Sequence, residues 1–108
     1  MALSEEDRAY VQDLFAGLGE VSTRRMFGGL GIYHGGRIFA LMRSEGALLI
    51  KGQGAFIQYL EMMGCDQWRH RRASGQEVSM PYWSLPDTAR DDPEEAVALA
   101  KEALRHLK

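Results

Sequence analysis

Apolar residues recur at helical spacing near both ends and in the middle of the chain, and in short strand-like runs elsewhere. Leu3, Val11, Leu14, Phe15 and Leu18 form the first helical stripe. Ser4 and Asp7 have the spacing of an N-cap and its acidic partner, although Asp fits that role less well than Glu or Gln. Gly17 and Gly19 supply stop signals, so the pattern predicts a helix over residues 5–17. Glycine-containing turns then divide short apolar runs. Residues 21–27 end at Gly28-Gly29, residues 30–34 at Gly35-Gly36, and residues 37–43 at Ser44-Glu45-Gly46, before a fourth run at 47–51. That rhythm predicts a β-meander, because glycine enters the positive-φ wells of tight hairpins without steric cost. A positive φ is therefore expected at Gly28 or Gly29.

Helical spacing returns with Phe56, Ile57, Leu60 and Met63, and Gly64 can close that helix. Residues 67–72 form a weak fifth strand and residues 77–84 a sixth, with Ser74-Gly75 between them. Val78, Met80 and Tyr82 share one face of the sixth strand. Pro81 lacks an N–H donor, which requires an edge position or a bulge there. The last helix carries the clearest start signal. Asp92 caps it, Pro93 suits its first position, and Glu94 and Glu95 favour the positive end of its dipole. Val97, Ala100, Leu104 and Leu107 then make its apolar stripe, widened by Ala96, Leu99 and Ala103.

The order α-β-β-β-β-α-β-β-α predicts an α+β fold, two layers deep, with an antiparallel β-sheet and helices on one face. Two inner strands are apolar on both sides. Alternation places Ile38, Ala40 and Met42 on one face and Phe39 and Leu41 on the other, with Leu49 opposite Leu48 and Ile50. One helix layer hides one face only. The exposed set, led by Phe39 and Leu41, therefore predicts a partner or a homodimer, unless strong curvature folds the sheet or the 65–76 segment over it.

At 108 residues the chain is expected to form one domain, 1–108. Its apolar runs fall short of the ~20 residues of a membrane-spanning helix, and the acidic N-terminus lacks a secretory pattern. The lone Cys65 forms no internal disulfide, so the expected location is cytoplasmic. The net charge of −2 counts against specific DNA binding by the domain alone, since phosphate neutralisation supplies most of such affinity.

Little in the chain suggests catalysis. The Gly28-Gly29-Leu30-Gly31 run sits between strands, whereas a phosphate loop needs a helix after it. Arg24 and Arg25 should point to opposite faces of a strand, one covering the sheet and the other open to a ligand or partner. Arg69, His70, Arg71 and Arg72 form the basic cluster, a solvated face with the capacity to meet phosphates. Cys65, His34, His70 and His106 have no metal-ligand spacing, and no cofactor is expected. Cys65 beside Asp66 reads as a buried, unreactive thiol.

The run Arg24-Arg25-Met26-Phe27-Gly28-Gly29-Leu30-Gly31-Ile32-Tyr33, followed by Gly36 and Phe39-Ala40-Leu41, resembles the N-terminal domain of the TfoX/Sxy competence regulators. Met80-Pro81-Tyr82-Trp83-Ser84-Leu85-Pro86 resembles that family's second signature. The resemblance implies a secretion-chaperone-like two-layer domain and a link to transcription, in which full-length relatives act with the cyclic-AMP receptor protein. Those relatives continue into a helical second domain, while this sequence ends at Lys108 and reads as a stand-alone copy. The expected function is a non-enzymatic adaptor that contacts a protein, in the transcription machinery by family resemblance. Arg24, Arg25, Phe27, Gly28, Gly29, Tyr82 and Trp83 are its candidate binding residues. The competing expectation is a ligand-binding or catalytic pocket near Arg24, Arg25, Tyr82 and Trp83. A continuous basic face joining Arg24 or Arg25 to Arg69–Arg72 would instead favour DNA.

Overall fold

The computed structural model describes residues 5–26 and 28–107. Helix α1 (Glu5–Leu14) is followed by a 3₁₀ turn (Ala16–Leu18) and four strands: β1 (Ser22–Met26), β2 (Gly29–His34), β3 (Arg37–Met42) and β4 (Leu48–Lys51). Helix α2 (Ala55–Met62) precedes β5 (Gln67–Arg71) and β6 (Glu77–Ser84). A second 3₁₀ turn (Asp87–Asp91) leads into α3 (Pro93–His106). The strands make one antiparallel six-stranded sheet in the order β1-β2-β3-β4-β6-β5. This is the expected α+β order. The first helix is shorter than the 5–17 reading because its last turn tightens at Ala16. Its proposed cap Ser4 and stripe residue Leu3 lie outside the described residues. Among the described residues no helix is long and apolar enough to cross a membrane.

All three helices pack on one face of the sheet. Val11 and Leu14 from α1, Phe56 and Leu60 from α2, and Ala96, Leu99, Ala100 and Ala103 from α3 share one core with that face. Alanines in α3 let the helix approach the strands closely. The α3 start follows its cap chemistry: the Asp92 carboxylate accepts from the N–H groups of Glu94 at 3.1 Å and Glu95 at 3.4 Å. Its end is held by Arg37, which donates to the carbonyls of Leu107 at 2.7 Å and Leu104 at 3.4 Å. The cation thereby satisfies groups that a helix C-terminus leaves unpaired.

The strand faces differ from simple alternation at one point. Ile32 pairs with Ala40 and Tyr33 with Ile38, so Phe39 is an extra residue on β3. The bulge turns Phe39 toward the helices, where its ring meets Phe15 edge-on at 5.1 Å. Ile38 is turned the other way, beside Leu41. The expected pairing of Phe39 with Leu41 on an open face is therefore corrected.

That second face is also covered. Leu41, Leu49 and Tyr82 are buried there beneath Met26, Ile38, Trp68 and Met80 of the same chain. Residues from β1, β3, β5 and β6 meet in one cluster, which requires a strongly curled sheet. Phe39 is 0% and Leu41 1% exposed. Curvature, assisted by Trp68 from the 65–76 segment, covers the residues from which a partner or a homodimer was expected.

β6 is an inner strand, so Pro81 is accommodated by irregular pairing. Gln67 pairs with Trp83 and Arg69 with Ser79, leaving Met80, Pro81 and Tyr82 in the irregular stretch. The Gln67 side-chain amide donates to the Met80 carbonyl at 3.0 Å, and the Gly52 N–H donates to the Pro81 carbonyl at 3.1 Å. These bonds stand in for missing ladder bonds.

The first hairpin uses its two glycines differently. Gly28 has a φ of 72° and forms the turn, as expected. Gly29 is already in β2, where an added Cβ would run into the Met42 carbonyl oxygen. Gly28→Val is expected to destabilise the domain by about 1–3 kcal/mol through backbone strain. Urea unfolding should read that loss; an unchanged midpoint would contradict the turn geometry.

Candidate functional site

The sheet divides the candidate residues between its two faces. Arg24 lies across from Gly31, and its guanidinium stands 5.3 Å from the centre of the Tyr33 ring. Tyr33 donates to the Met26 sulfur at 3.8 Å. Tyr82 is buried on the same curled side. Burial pushes its phenol above the usual range, and neighbouring Tyr33 adds to the shift. Tyr82 is thus a neutral hydroxyl at physiological pH. Arg25, next in the strand, alternates away from Arg24 and is exposed. Trp83 lies on the helix side, buried in the main core beside Gly52 and Leu60. The structure therefore brings Arg24 and Tyr82 to one side and sends Arg25 and Trp83 away from it. Phe27, between Met26 and Gly28, lies outside the described residues. Gly28 and Gly29 serve the hairpin.

Arg69, His70, Arg71 and Arg72 lie along and just beyond β5, at one edge of the sheet, and all are exposed. Arg24 and Arg25 are on β1 at the opposite edge. Between them stand Leu41, Leu49 and Tyr82 on the curled face. In strand order the two groups are thus separated by the four inner strands β2, β3, β4 and β6.

A cavity of about 340 Å³ opens where β5 curls toward the end of β3, lined by Arg43, Ser44, Trp68, His70 and Met80. The Arg43 guanidinium sits 5.0 Å from the Trp68 ring centre, within the range of a cation–π contact. Trp68 also meets His70 edge-on at 6.0 Å and Tyr82 at 6.5 Å. Arg43 and Trp68 were not selected from the sequence, since one ends a strand and the other begins a weak one. Only the curl of the sheet joins them.

The helix layer carries a second feature that the sequence reading missed. Tyr59, Met62 and Met63 are 51%, 86% and 37% exposed. Phe56 stacks between Tyr59 and His106, with 6.0 Å between ring centres in each pair. These rings, with Ala55, Glu102 and Arg105, line an open groove of about 480 Å³ between α2 and α3. The signal was available: residues 55–63 contain more apolar side chains than one buried stripe can absorb. Met63 was assigned to that stripe, but it reaches solvent.

The remaining chemistry is local. The His34 Nδ1 lies 2.7 Å from the Glu20 carbonyl oxygen, and the His106 Nδ1 lies 2.9 Å from that of Glu102. Among the described residues no group of three or more His, Cys, Asp and Glu is placed to hold a metal ion. Cys65 is half-buried rather than fully buried. Partial burial and the Asp66 charge both push its thiol up, away from a reactive thiolate.

The domain thus combines a self-covered sheet, charged sheet edges and an exposed apolar helix. Residues 13–107 match the family model described as the TfoX N-terminal domain. The chain is also similar to the DNA transformation protein TfoX1 of Aliivibrio fischeri (strain ATCC 700601 / ES114), with 25% identity over 89 residues. The match covers 82% of this chain and 42% of that relative, so the chain spans less than half the relative's length. The first hairpin, the curled sheet and the Tyr82-Trp83 strand all fall within the matched segment, and the chain belongs to the TfoX N-terminal domain family.

Proposed function

We propose that this domain is a non-enzymatic regulatory adaptor of the cytoplasm, acting in transcriptional control through contacts with another protein. The observation that carries this reading is the exposure of Tyr59, Met62 and Met63 beside the α2–α3 groove. Large apolar side chains clustered in water favour a docking partner. The regulatory assignment draws support from the family and from a relative named for DNA transformation. The competing pocket built on Arg24, Arg25, Tyr82 and Trp83 loses support from their divergence across the sheet. A homodimer, where it forms, would use the same α2 surface, because the curled face is already filled.

Affinity capture of the tagged protein from its native lysate, with and without nuclease, tests the reading. A protein partner should survive nuclease and be lost with Met62→Glu. Met62 is 86% exposed, so the substitution leaves the core intact. Capture that depends on nucleic acid, or that ignores Met62→Glu, would count against the proposal.

Purified domain should show no sequence-selective DNA binding in the ~10⁻⁸ M range of dedicated DNA readers at physiological salt. Its net charge of −2 and the separation of its basic residues onto opposite sheet edges motivate this expectation. A nanomolar, sequence-selective shift in a gel assay would overturn it.

A further inference from the structure

Among the described residues β5 pairs only with β6, which leaves its other side able to accept a further strand. Its side chains sort by alternation. Arg69 and Arg71 share one face. Trp68 and His70 share the other and form one wall of the Arg43 cavity. Arg71 reaches Glu77 at 3.4 Å, but their side chains are 70% and 52% exposed. Such a pair is weak and easily exchanged for another carboxylate.

We propose that β5 is a docking edge for an extended acidic segment of a partner protein, which adds to the sheet as a seventh strand. Its carboxylates meet Arg69 and Arg71. An apolar or aromatic side chain on the alternate face meets the wall formed by Trp68, His70 and Arg43.

The charge pattern selects this occupant. The six strands contain Arg24, Arg25, Arg37, Lys51, Arg69 and Arg71 against one carboxylate, Glu77. The remaining acids, which bring the net charge to −2, lie on helices and loops. A second copy of the chain fits poorly. Two β5 edges would oppose Arg and His to Arg and His, and the β1 edge also offers arginines. Nucleic acid fits poorly as well. A polynucleotide lacks the alternating backbone N–H and C=O groups needed to complete a strand ladder on β5.

This inference goes beyond the adaptor reading by supplying a second docking surface, and the two can fail separately. The test is fluorescence anisotropy with a short labelled peptide alternating Glu and Phe. Controls are the matched Lys–Phe peptide, the Glu–Phe peptide N-methylated on alternate amides, and a single-stranded oligonucleotide. The Glu–Phe peptide should bind, and the Lys–Phe and methylated peptides should not. Combined Arg69→Glu and Arg71→Glu substitution should weaken binding by roughly tenfold or more through loss of charge-assisted contacts. The paired Arg→Gln variant should fall between wild type and the charge reversal. Both arginines are exposed, and a thermal melt checks that each variant stays folded. Equal binding of the methylated peptide, indifference to the arginine variants, or displacement by the oligonucleotide at lower concentration would overturn the proposal. If peptide binding fails while lysate capture still depends on Met62, the β5 edge is wrong and the adaptor reading stands. If the peptide binds as stated while capture fails, the reverse holds.

Discussion

Phe39→Ala should cost about 3–5 kcal/mol, the range for emptying a large aromatic site in a packed core. Domains of this kind have roughly 5–15 kcal/mol of total stability, so the variant should lose most of its margin. The reason is specific to the bulge. Phe39 is 0% exposed and packs edge-on against Phe15, beneath the helix layer. Simple alternation would instead place it beside Leu41 on the open face. Ile38, which the bulge turns away from the helices and leaves half-buried, should cost less on truncation. Urea unfolding of the two alanine variants compares them directly. A larger loss at Ile38 than at Phe39 would contradict the register.

Gly29→Ala should destabilise the domain by more than about 3 kcal/mol, beyond the usual strain of a single turn position. The new methyl would meet the Met42 carbonyl oxygen and stand 3.1 Å from the Arg43 Cα. Both are backbone atoms, so no side-chain rotation relieves the collision. The β2–β3 ladder must shift instead. Gly28→Ala is the control, because it carries φ strain with nothing within 4 Å of the added carbon. Hydrogen exchange on the strand amides should show loss of protection across β2 and β3 for Gly29→Ala alone. Equal effects at the two glycines would indicate that close strand approach is not the constraint.

Much of the fold was legible because its signals are local. Glycine-containing turns marked the hairpins, and Asp92-Pro93-Glu94-Glu95 marked the start of α3. The Pro81 argument correctly required an edge or a bulge. Phe39 was misplaced because alternation assumes that every residue has a cross-strand partner, and one unpaired residue reverses the faces around it. The cover over Leu41 and Leu49 was hidden for a different reason. Met26 and Trp68 come from opposite edges of the sheet, and curl alone brings them into one cluster. The divergence of the candidate site residues was within reach of local reasoning, which had already separated Arg24 from Arg25. Tyr82 and Trp83 are consecutive strand residues, so alternation already sends them to opposite faces, as it does Arg24 and Arg25. The α2 patch was visible as surplus apolar residues, but the helical stripe drew attention to those it could bury.

The claim that this domain works by docking a protein is tested most directly by photo-crosslinking in the native cell. A photoreactive amino acid at position 62 lies on the exposed apolar end of α2, and one at position 49 lies beneath the curled sheet. Position 62 should give a discrete protein adduct that survives nuclease, while position 49 gives none. A nucleic-acid adduct from position 62, or a partner adduct from position 49 with none from position 62, would contradict the account.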